Sequence, residues 1–534
     1  MKKIFAKIAA TLPIISLVGG MISCGGTAGN DDVKPDPDQP VNPNPDNPNP
    51  DKPDPDKPDP EIPSDPKTPE ELEKYFPVGS DYKRLPNIKT DISNTVFDGF
   101  KGPLNRDKWA PGTGYWGKAN GGINAKNVRV TDDGYLVLKA HGDNYAVGDV
   151  PGVGELSDGR RVGSAIISKF TCKPGHYDIR MKVAPRLGAC TAFWTFAWKQ
   201  ADKAGEAPFN SELDIELPGG SNTGDISLDK CINTNWTTER AHESYHYAAS
   251  DVTDSIAFND GEFHNFGFDW YTNPGVIVYH VDGKISHIST VHIPNLESRL
   301  NIGVWFPLNW AGDPNFEEDQ MIVDYVKYEP FKDQPIDPFD PGIGFGQEAN
   351  SAYNDVPITL QESNKISNGN FEYYTKIDKS LAPDKFRNQM NNRGWTFGKT
   401  VGKSDFTDEE LSNIQEGAGI DNTCAAFIRD KGVLRQEIDS VFEGYKYTLK
   451  FSAKTKLELD GKDPLSKLVV RYLDKGKKII EGKDVIIPIN NLDSYKEYTK
   501  ELVAPTSSRT MRIEARTVKG NILYLDNMEM VFHK

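Results

Sequence analysis

The feature that most limits the fold is a succession of short apolar runs, broken by Gly, Asn and Asp, across residues 81–331. The runs include GYLVLKAHG, GSAIISKF, GHYDIRMKV and GVIVYHVDG. Each has the length and the β-branched or aromatic content of a strand, and long helical periodicity is absent. Many strands at close spacing predict an all-β sandwich or barrel.

A second β-rich region follows the first. Residues 332–360 are rich in Pro, Gly and Asp and predict a linker. Runs such as YKYTLKFSAKT and KLVVRYL then indicate a second, C-terminal β-sandwich over residues 361–534. A chain of 534 residues is too long for one hydrophobic core, which agrees with two folded domains at 81–331 and 361–534.

The N-terminus has the pattern of an export signal. Lys2, Lys3 and Lys7 precede an apolar run, residues 8–22, which is short and broken for a spanning helix. The run ends in MISC, which resembles a bacterial lipoprotein signal over residues 1–23 with Cys24 as the lipid-bearing residue. A plain secretory signal is the alternative. The expected location is exported and lipid-anchored, at a bacterial outer membrane or cell surface, with the lipid as the only membrane contact.

Residues 24–80 are predicted to form an acidic, Pro-rich stalk. Residues 31–74 hold 14 acidic and 5 basic residues, a charge of 5 − 14 = −9 out of a net −16. The proline-rich part, residues 33–66, cannot bury a core and could extend to ~100 Å at about 3.1 Å per residue. Near its end, Thr68, Pro69 and Glu71 are typical of a helix N-terminus. The chain has no basic block, which argues against a nucleic-acid partner.

Beyond Cys24 there are four cysteines, Cys172, Cys190, Cys231 and Cys424. None has zinc-ligand spacing. One disulfide among the first three and free buried thiols are both open.

The stretch NSELDIELPGG, residues 210–220, concentrates acidic residues. Glu212, Asp214 and Glu216 alternate with apolar residues, so on a strand the three carboxylates share one face. The pattern alone fits either the solvated face of an ordinary strand or a set of catalytic carboxylates.

Several segments, in order, resemble the catalytic domain of glycoside hydrolase family 16. They are FDGFKGPLNRDKW, NVRVTDDGYLVLKA, TAFWTFAW, SELDIE, EFHNFGFDWYTNPGVIVYHVDGKISH and MIVDYVKY, spread over about residues 95–331. The resemblance implies a β-jelly roll of two antiparallel sheets, with an open cleft for a polysaccharide on one concave face.

The resemblance also implies a retaining endo-glycosidase that works by double displacement. Glu212 would be the nucleophile and Glu216 the acid/base, with Asp214 between them. Extended-strand spacing puts the Cα atoms of the two glutamates roughly 13 Å apart, so their side chains must lean together. Catalysis needs no cofactor on this scheme.

The compact spacing of SELDIE is typical of lichenases and xyloglucan-active relatives. This spacing favours a β-glucan that contains β-1,4 or mixed β-1,3/1,4 linkages. For the resemblance as a whole, the expected substrate is a mixed-linkage β-1,3/1,4-glucan or a β-1,3-glucan. An endo-β-galactanase or mucin-type glycanase, a transglycosylase, and a surface glycan-binding lipoprotein without catalysis are the alternatives. The chain is expected to be a monomer.

Aromatic and amide side chains are the second set of candidates. The predicted substrate-binding residues are Trp194, Trp198, Asn233, Trp236, Trp305 and Trp310, since sugar rings stack on exposed aromatic faces and amides bind hydroxyls. The alternative for each tryptophan is a place in the core. Asn235 is a similar candidate to Asn233, and His264 is expected to be structural.

The remaining candidates rest on resemblance. Asp324 aligns with a position that often contributes to a structural calcium site in the catalytic family. ISNGNFE, GWTF and LYLDNMEM resemble carbohydrate-binding modules of the family 4 type. This implies a structural calcium near Glu372 and Asp526, and sugar contacts from Trp395 and Tyr373 or Tyr374. A docking domain that binds no sugar is the alternative.

Overall fold

A computed structural model describes residues 65–114, 122–145, 161–218, 226–307, 310–343, 353–372, 391–392, 394–399, 413–429, 432–457, 466–490 and 492–533. Strands account for 51% of the structure and helices for 5%, so the protein is all-β, as predicted. The predicted lipidation site Cys24, the Pro-rich tract 33–64, Tyr373 and Tyr374 lie outside the described residues. Both sandwiches belong to one compact unit, Ile62–Lys534.

The described chain begins with a short helix, α1 (Pro69–Tyr75). Thr68 caps it as predicted: its Oγ1 accepts from the Glu71 backbone N–H at 3.2 Å, and Glu71 accepts in return from the Thr68 N–H. Two of the residues in this segment, Leu72 and Phe76, are buried against the first sandwich. The end of the predicted stalk segment 24–80 thus contains a helix whose apolar face packs on the first sandwich.

The first sandwich contains the strands up to residue 330. They are β1 (Val96–Asp98), β2 (Trp109–Pro111), β3 (Val128–Val130), β4 (Leu136–His141), β5 (Ser164–Ser168), β6 (Gly175–Lys182), β7 (Cys190–Lys199), β8 (Phe209–Leu217), β9 (Lys230–Thr238), β10 (Ala241–Ala248), β11 (His264–Thr272), β12 (Gly275–Val281), β13 (Lys284–Ser289), β14 (Arg299–Trp305) and β15 (Glu318–Pro330). A short helix, α2 (Ala249–Val252), follows β10, and single 3-10 turns lie at Ile92–Asn94 and Ala125–Asn127.

These strands form two antiparallel sheets. The outer sheet has eight strands in the order β13-β12-β11-β6-β15-β4-β3, with β1 also paired to β15. The cleft sheet has seven strands in the order β10-β9-β8-β7-β14-β5-β2. Large apolar side chains from both sheets meet between them, among them Tyr177, Phe193, Phe268 and Tyr279, each fully buried. This is the sandwich that the short alternating runs predicted.

The C-terminal region forms a second sandwich. Its strands are β16 (Asn391–Asn392), β17 (Trp395–Lys399), β18 (Asn413–Gln415), β19 (Ala425–Arg429), β20 (Gly432–Asp439), β21 (Lys446–Leu457), β22 (Ser466–Leu473), β23 (Val485–Ile489), β24 (Lys496–Val503), β25 (Thr510–Arg516) and β26 (Asn521–His533), with a 3-10 turn at Ile420–Asn422. They form a six-stranded sheet, β16-β17-β20-β25-β22-β23, and a five-stranded sheet, β18-β19-β26-β21-β24.

A buried charge cluster joins the two sandwiches. Asp319 Oδ2 accepts from Arg186 Nε at 2.7 Å and from Lys365 Nζ at 2.8 Å, and Arg186 Nη2 also donates to the Lys365 carbonyl at 3.3 Å. All three side chains are at least nine-tenths buried. Because a buried charge is tolerated only when it is paired, these contacts orient the second sandwich on the first.

The four cysteines that the structure describes, Cys172, Cys190, Cys231 and Cys424, are free and buried. In the part of the chain that is described, the helices are all too short or too polar to cross a membrane.

Candidate active site

The three carboxylates of SELDIE lie side by side on β8. Glu212, Asp214 and Glu216 point out of the cleft sheet, while Leu213, Ile215 and Leu217 belong to the core between the sheets. The strand is central in its sheet, with β7 on one side and β9 on the other. A two-residue period therefore gives both the apolar and the acidic face, as predicted.

An irregularity in β8 comes directly before the first glutamate. The pairing of β8 with β9 shifts register between Phe209 and Glu212. At this position Asn210 Nδ2 donates to Glu212 Oε2 at 2.7 Å. Bulges re-aim side chains near functional sites, and here the result is that a neighbour on the same strand supports the carboxylate of Glu212.

Asp214 is held from β9. Trp236 Nε1 donates to Asp214 Oδ2 at 3.1 Å. Burial, together with the neighbouring Glu212 and Glu216 carboxylates, raises the pKa of Asp214 well above its ordinary value. A protonated Asp214 can donate a hydrogen bond to Glu212, and that contact in turn favours the ionised form of Glu212.

The two glutamates have different surroundings. Burial raises the pKa of Glu212 to about 7, and the hydrogen bonds from Asn210 and Asp214 oppose that rise. Burial and the charge of Glu212 raise the pKa of Glu216 to about 8, against a weak contact from the thiol of Cys190 at 3.8 Å. The charge of Glu212 thus favours the protonated form of Glu216, whereas the hydrogen bonds from Asn210 and Asp214 favour the ionised form of Glu212, and such a difference in surroundings suits acid and base roles.

The carboxylates open into a cavity of about 440 Å³. Its other walls come from β5, β7, β14 and the segment after β15; they are Ile167, Trp194, Phe196, Trp198, Arg299, Asn301, Trp305, Pro341, Gly342 and Ile343. Such a volume lies within the usual range for ligand clefts, about 300–1,000 Å³. The cavity is thus an acid-bearing, aromatic-walled site.

Three of the predicted aromatic residues line this cavity. Trp194 is only 4% exposed and packs on the cleft face with Cys190, whereas Trp198 is 42% exposed. Trp198 Nε1 donates to Glu239 at 2.9 Å, which holds the ring at the rim. Trp305 joins them from β14.

The other two predicted tryptophans have indirect positions. Trp310 is outside the cavity lining and packs edge-on against Trp305, with ring centroids 6.0 Å apart. Trp236 supports Asp214 and stacks on His242 at 4.0 Å between centroids.

The prediction that Asn233 and Asn235 bind substrate is corrected by their positions. They pair with Ile215 and Leu213, the residues of β8 that face the core, so they lie between the sheets. Each is 1% exposed. Asn233 Nδ2 donates to Ser286 Oγ at 3.4 Å, and Asn235 Nδ2 donates to the Val291 carbonyl at 2.6 Å. Both amides satisfy core neighbours and do not reach the cleft.

The functional residues predicted for the second sandwich differ in where their side chains lie. Trp395 is fully buried in the core of the second sandwich, where its Nε1 donates to the Asn368 carbonyl at 3.1 Å, so the prediction of a sugar contact is corrected. Glu372 accepts from the Cys424 N–H at 2.7 Å and Asp526 accepts from the Ile420 N–H at 2.9 Å.

Asp324, the other predicted calcium ligand, accepts a hydrogen bond from Arg180 Nη1 at 2.5 Å. His264 is structural, as expected, because its two ring nitrogens contact Asp282 at 2.6 Å and Asp260 at 3.1 Å.

One group on the outer sheet has a metal-compatible set of atoms. His176, Asp269 and His280 bring one ligand atom each within 4.8 Å of the others. The Asp269 oxygens, however, accept from Tyr82 at 2.9 Å and Tyr271 at 2.5 Å, and Oδ1 contacts His176 Nδ1 at 2.7 Å. These contacts explain the group as a hydrogen-bonded clamp for the N-terminal segment.

Sequence reasoning missed several residues of the site, namely Asn210, Cys190, Phe196, Arg299, Asn301 and the cavity-lining residues of the predicted linker. Phe196 could have been found, because it has the same parity as Trp194 and Trp198 on one strand. Arg299 and Asn301 carry no local signal, since only the pairing of β14 with β7 brings them to the cleft.

Residues 119–327 match the family model described as Glycosyl hydrolases family 16. A beta-glucanase of Paenibacillus macerans is 25% identical over 244 residues, which cover 42% of this chain and 84% of that protein. The solved Bacillus licheniformis beta-glucanase is 22% identical, covering 44% of this chain and 97% of that one, with a TM-score of 0.35. The laminarinase catalytic domain of Thermotoga maritima MSB8 is 18% identical, covering 46% and 98%, with a TM-score of 0.35.

Proposed function

We propose that the region matched by the Glycosyl hydrolases family 16 model, residues 119–327, is a retaining endo-glycosidase that cleaves β-glucan. The observation that carries the proposal is the row of Glu212, Asp214 and Glu216 on one strand, facing an aromatic-walled cavity.

The first step uses both glutamates. Glu212 attacks the anomeric carbon while Glu216 transfers its proton to the departing glycosidic oxygen, so a glycosyl–enzyme ester forms and one sugar chain leaves with a new hydroxyl. The raised pKa of Glu216, about 8, keeps the proton in place near neutral pH. The lower pKa of Glu212, about 7, leaves a larger fraction ionised for attack.

The second step reverses the role of Glu216. Now ionised, it removes a proton from a water molecule, whose oxygen attacks the anomeric carbon and displaces the Glu212 carboxylate. The product is released with its original anomeric configuration, because two inversions cancel. Asp214, protonated and fixed by Trp236, donates to Glu212 and stabilises its carboxylate when it is regenerated.

The substrate follows from the walls and the relatives. Trp198 and Trp305 offer rings on which pyranose faces can stack, and Asn301 offers an amide for hydroxyl groups. Curated relatives that are 25–27% identical over 162–244 residues are named beta-glucanases. We therefore assign β-glucan with β-1,3 or mixed β-1,3/1,4 linkages as the substrate.

We further propose that the enzyme acts outside the cytoplasm, held by a lipid on Cys24. The MISC sequence and the Pro-rich tract 33–66 support an anchor followed by a spacer. Growth with labelled fatty acid tests this: label on the native protein and none on Cys24→Ala is the expected result, and an unlabelled native protein would refute it.

The test of the activity uses the purified full-length chain. It is incubated with barley mixed-linkage glucan, laminarin, xyloglucan, agarose and mucin O-glycans, and the products are identified by mass and linkage. We expect oligosaccharides from one of the β-glucans and none from Glu212→Gln. Glu206→Gln, on the exposed turn before β8, is the control and should match the native protein. If agarose or the mucin O-glycans were cleaved and none of the β-glucans were, β-glucan would be refuted as the substrate.

A further inference from the structure

The segment after the last strand of the first sandwich does not run free as a linker. Residues 337–343, here called the strap, lie beside residues 295–299, the segment that leads into β14. The Asp337 N–H donates to the Asn295 carbonyl at 2.9 Å, and the Asp337 carbonyl accepts from the Glu297 N–H at 3.0 Å. Two backbone hydrogen bonds thus dock the strap as a short parallel neighbour beside the cleft sheet.

A charged contact fixes the next turn of the strap. Arg299 Nη2 donates to Asp340 Oδ1, which also accepts from the Gly342 N–H at 2.9 Å. Gly342 has φ +73°, a backbone conformation that a residue with a side chain rarely adopts. Arg299 is nearly buried, whereas Asp340 is exposed, so the ion pair pins a surface turn to a rigid strand.

The pinned turn then enters the active site. Pro341, Gly342 and Ile343 line the same cavity as the catalytic carboxylates. They do so beside Arg299 and Ile167, on the β14–β5 side of Glu212. The strap is therefore part of the cleft wall on that side.

The other side of the carboxylates is different. The cleft face of β10 carries His242, Ser244 and His246, which are exposed or half-buried. Among the residues that the structure describes, none from outside the cleft sheet lines the cavity other than those of the strap. Within the described part of the chain, the wall from outside the sheet therefore lies on the β14–β5 side of β8.

We propose that the strap is the specificity element of this cleft: it limits how many sugar units bind on the β14–β5 side of Glu212, and Arg299 is the residue that positions it. This inference rests on the proposed glycosidase function. An open cleft bounded on one side binds a polysaccharide with few units on that side, and the enzyme then releases products of restricted length. The wall is covalently part of the segment that leads to the second sandwich.

Arg299 adds a second feature. Its Nε and Nη1 are buried and have no hydrogen-bond partner within the described part of the chain. A buried donor without a partner is costly, and the strap alone covers only the Nη2 side. A substrate hydroxyl that contacted either of these atoms would satisfy a donor.

The test compares product lengths. Asp340→Ala removes the ion pair without touching the carboxylates, and Ile343→Gly removes the side chain that the strap places in the cavity. Both are digested with the glucan that the native enzyme cuts, and products are counted by mass. We expect the ratio of longer to shorter products to rise by roughly tenfold, the factor that about 1.4 kcal/mol of binding preference produces.

A second readout does not depend on turnover. In the Glu212→Gln background, titration with oligosaccharides of increasing length should show affinity that stops improving at a fixed length, and Asp340→Ala should move that length upward by at least one sugar unit. Glu437→Gln is the control, because it breaks a comparable contact with Arg512 in the second sandwich. It should leave both readouts unchanged.

The outcomes separate the two proposals. Suppose that the native enzyme cuts a β-glucan and that both strap variants have the same product lengths and binding profile as the native enzyme. This result would refute the role of the strap in specificity and leave the proposed function intact. A native protein that neither cuts nor binds any glucan would overturn the proposed function and the strap's role with it.

Discussion

Trp236 on β9 donates the hydrogen bond that fixes Asp214 on β8, with 3.1 Å between Nε1 and Oδ2. In the proposed reaction, Trp236 therefore acts through Asp214 and not as a cavity wall. Its ring is also held from the far side by His242, at 4.0 Å between centroids. The position of the central carboxyl thus depends on a side chain that the sequence indicated for sugar stacking.

Trp236→Phe keeps an aromatic ring and removes the donor. We expect kcat to fall about fivefold with little change in KM, since a hydrogen bond of this kind is worth about 1 kcal/mol. Steady-state kinetics on a defined oligosaccharide measures both constants. Trp395→Phe loses a buried indole donor in the second sandwich, and its kcat per folded molecule should stay native. A rise in KM alone would instead make Trp236 a sugar contact.

The pH dependence of kcat/KM should be a narrow bell. Activity needs Glu212 ionised and Glu216 protonated, so it should fall below about pH 7 and again above about pH 8. The profile is measured with the native enzyme on a β-glucan. In Glu216→Gln, assayed on an aryl glycoside whose leaving group needs no proton, the alkaline limb should disappear. Its persistence would assign that limb to another group.

Loss of the acid/base should be smaller than loss of the nucleophile. We expect Glu216→Gln to lower kcat on polysaccharide by roughly 10²–10⁴-fold, the usual range for a general acid. Glu212→Gln should abolish activity on all substrates, because no covalent intermediate can form. Trapping of a glycosyl–enzyme by mass spectrometry in Glu216→Gln, with the label on Glu212, would confirm the order. A label on Glu216 would reverse it.

His264 should make stability depend on pH. Burial lowers its pKa, but Asp260 and Asp282 outweigh burial and raise the pKa to about 9. Its folded pKa exceeds the unfolded value of about 6.5, so its stabilising effect is complete below about pH 6.5 and is lost as the pH rises to about 9. Urea unfolding at several pH values should show this slope in the native protein and a reduced slope in His264→Gln. Equal slopes would contradict the assignment.

Asp319→Asn should destabilise the whole unit. The change leaves Arg186 and Lys365 buried beside a neutral group, which typically costs about 3–5 kcal/mol. Urea unfolding followed by tryptophan fluorescence measures the loss. Asp81→Asn, which breaks an exposed ion pair with Lys284, is the matched control and should unfold like the native protein. A native midpoint for Asp319→Asn would mean that the cluster does not join the sandwiches.

The acidic strand β8 and the helix start could be predicted from the sequence because both depend on residues that are close together in the chain. Glu212, Asp214 and Glu216 share a face by a two-residue period, and Thr68 with Glu71 marks a helix start within four residues. The prediction that Asn233 faces the cleft is wrong. The alternation of side chains along a strand divides the four residues of NTNW between two faces, but it does not show which face packs against the core. Only its register against Ile215 decides that.

Other parts of the site depend on contacts between distant segments. Arg299 reaches the cleft through the pairing of β14 with β7, about a hundred residues away in sequence. Trp395 is an aromatic residue of the kind that stacks on sugars, but whether its side chain is buried depends on which strands cover it. The strap reads as linker because Pro, Gly and Asp favour turns whether or not the turn docks on a neighbour.

The Asp319 cluster also bears on how such a protein can be reassembled by recombination. Asp319 and Arg186 lie in the first sandwich, whereas Lys365 comes after the linker. If the second sandwich were replaced by one from another protein, the new sandwich would have to supply a cation to the buried carboxylate of Asp319. If this second sandwich were instead moved to another protein, its Lys365 would be left without its carboxylate partner. The two sandwiches are therefore matched parts, exchanged together more readily than apart.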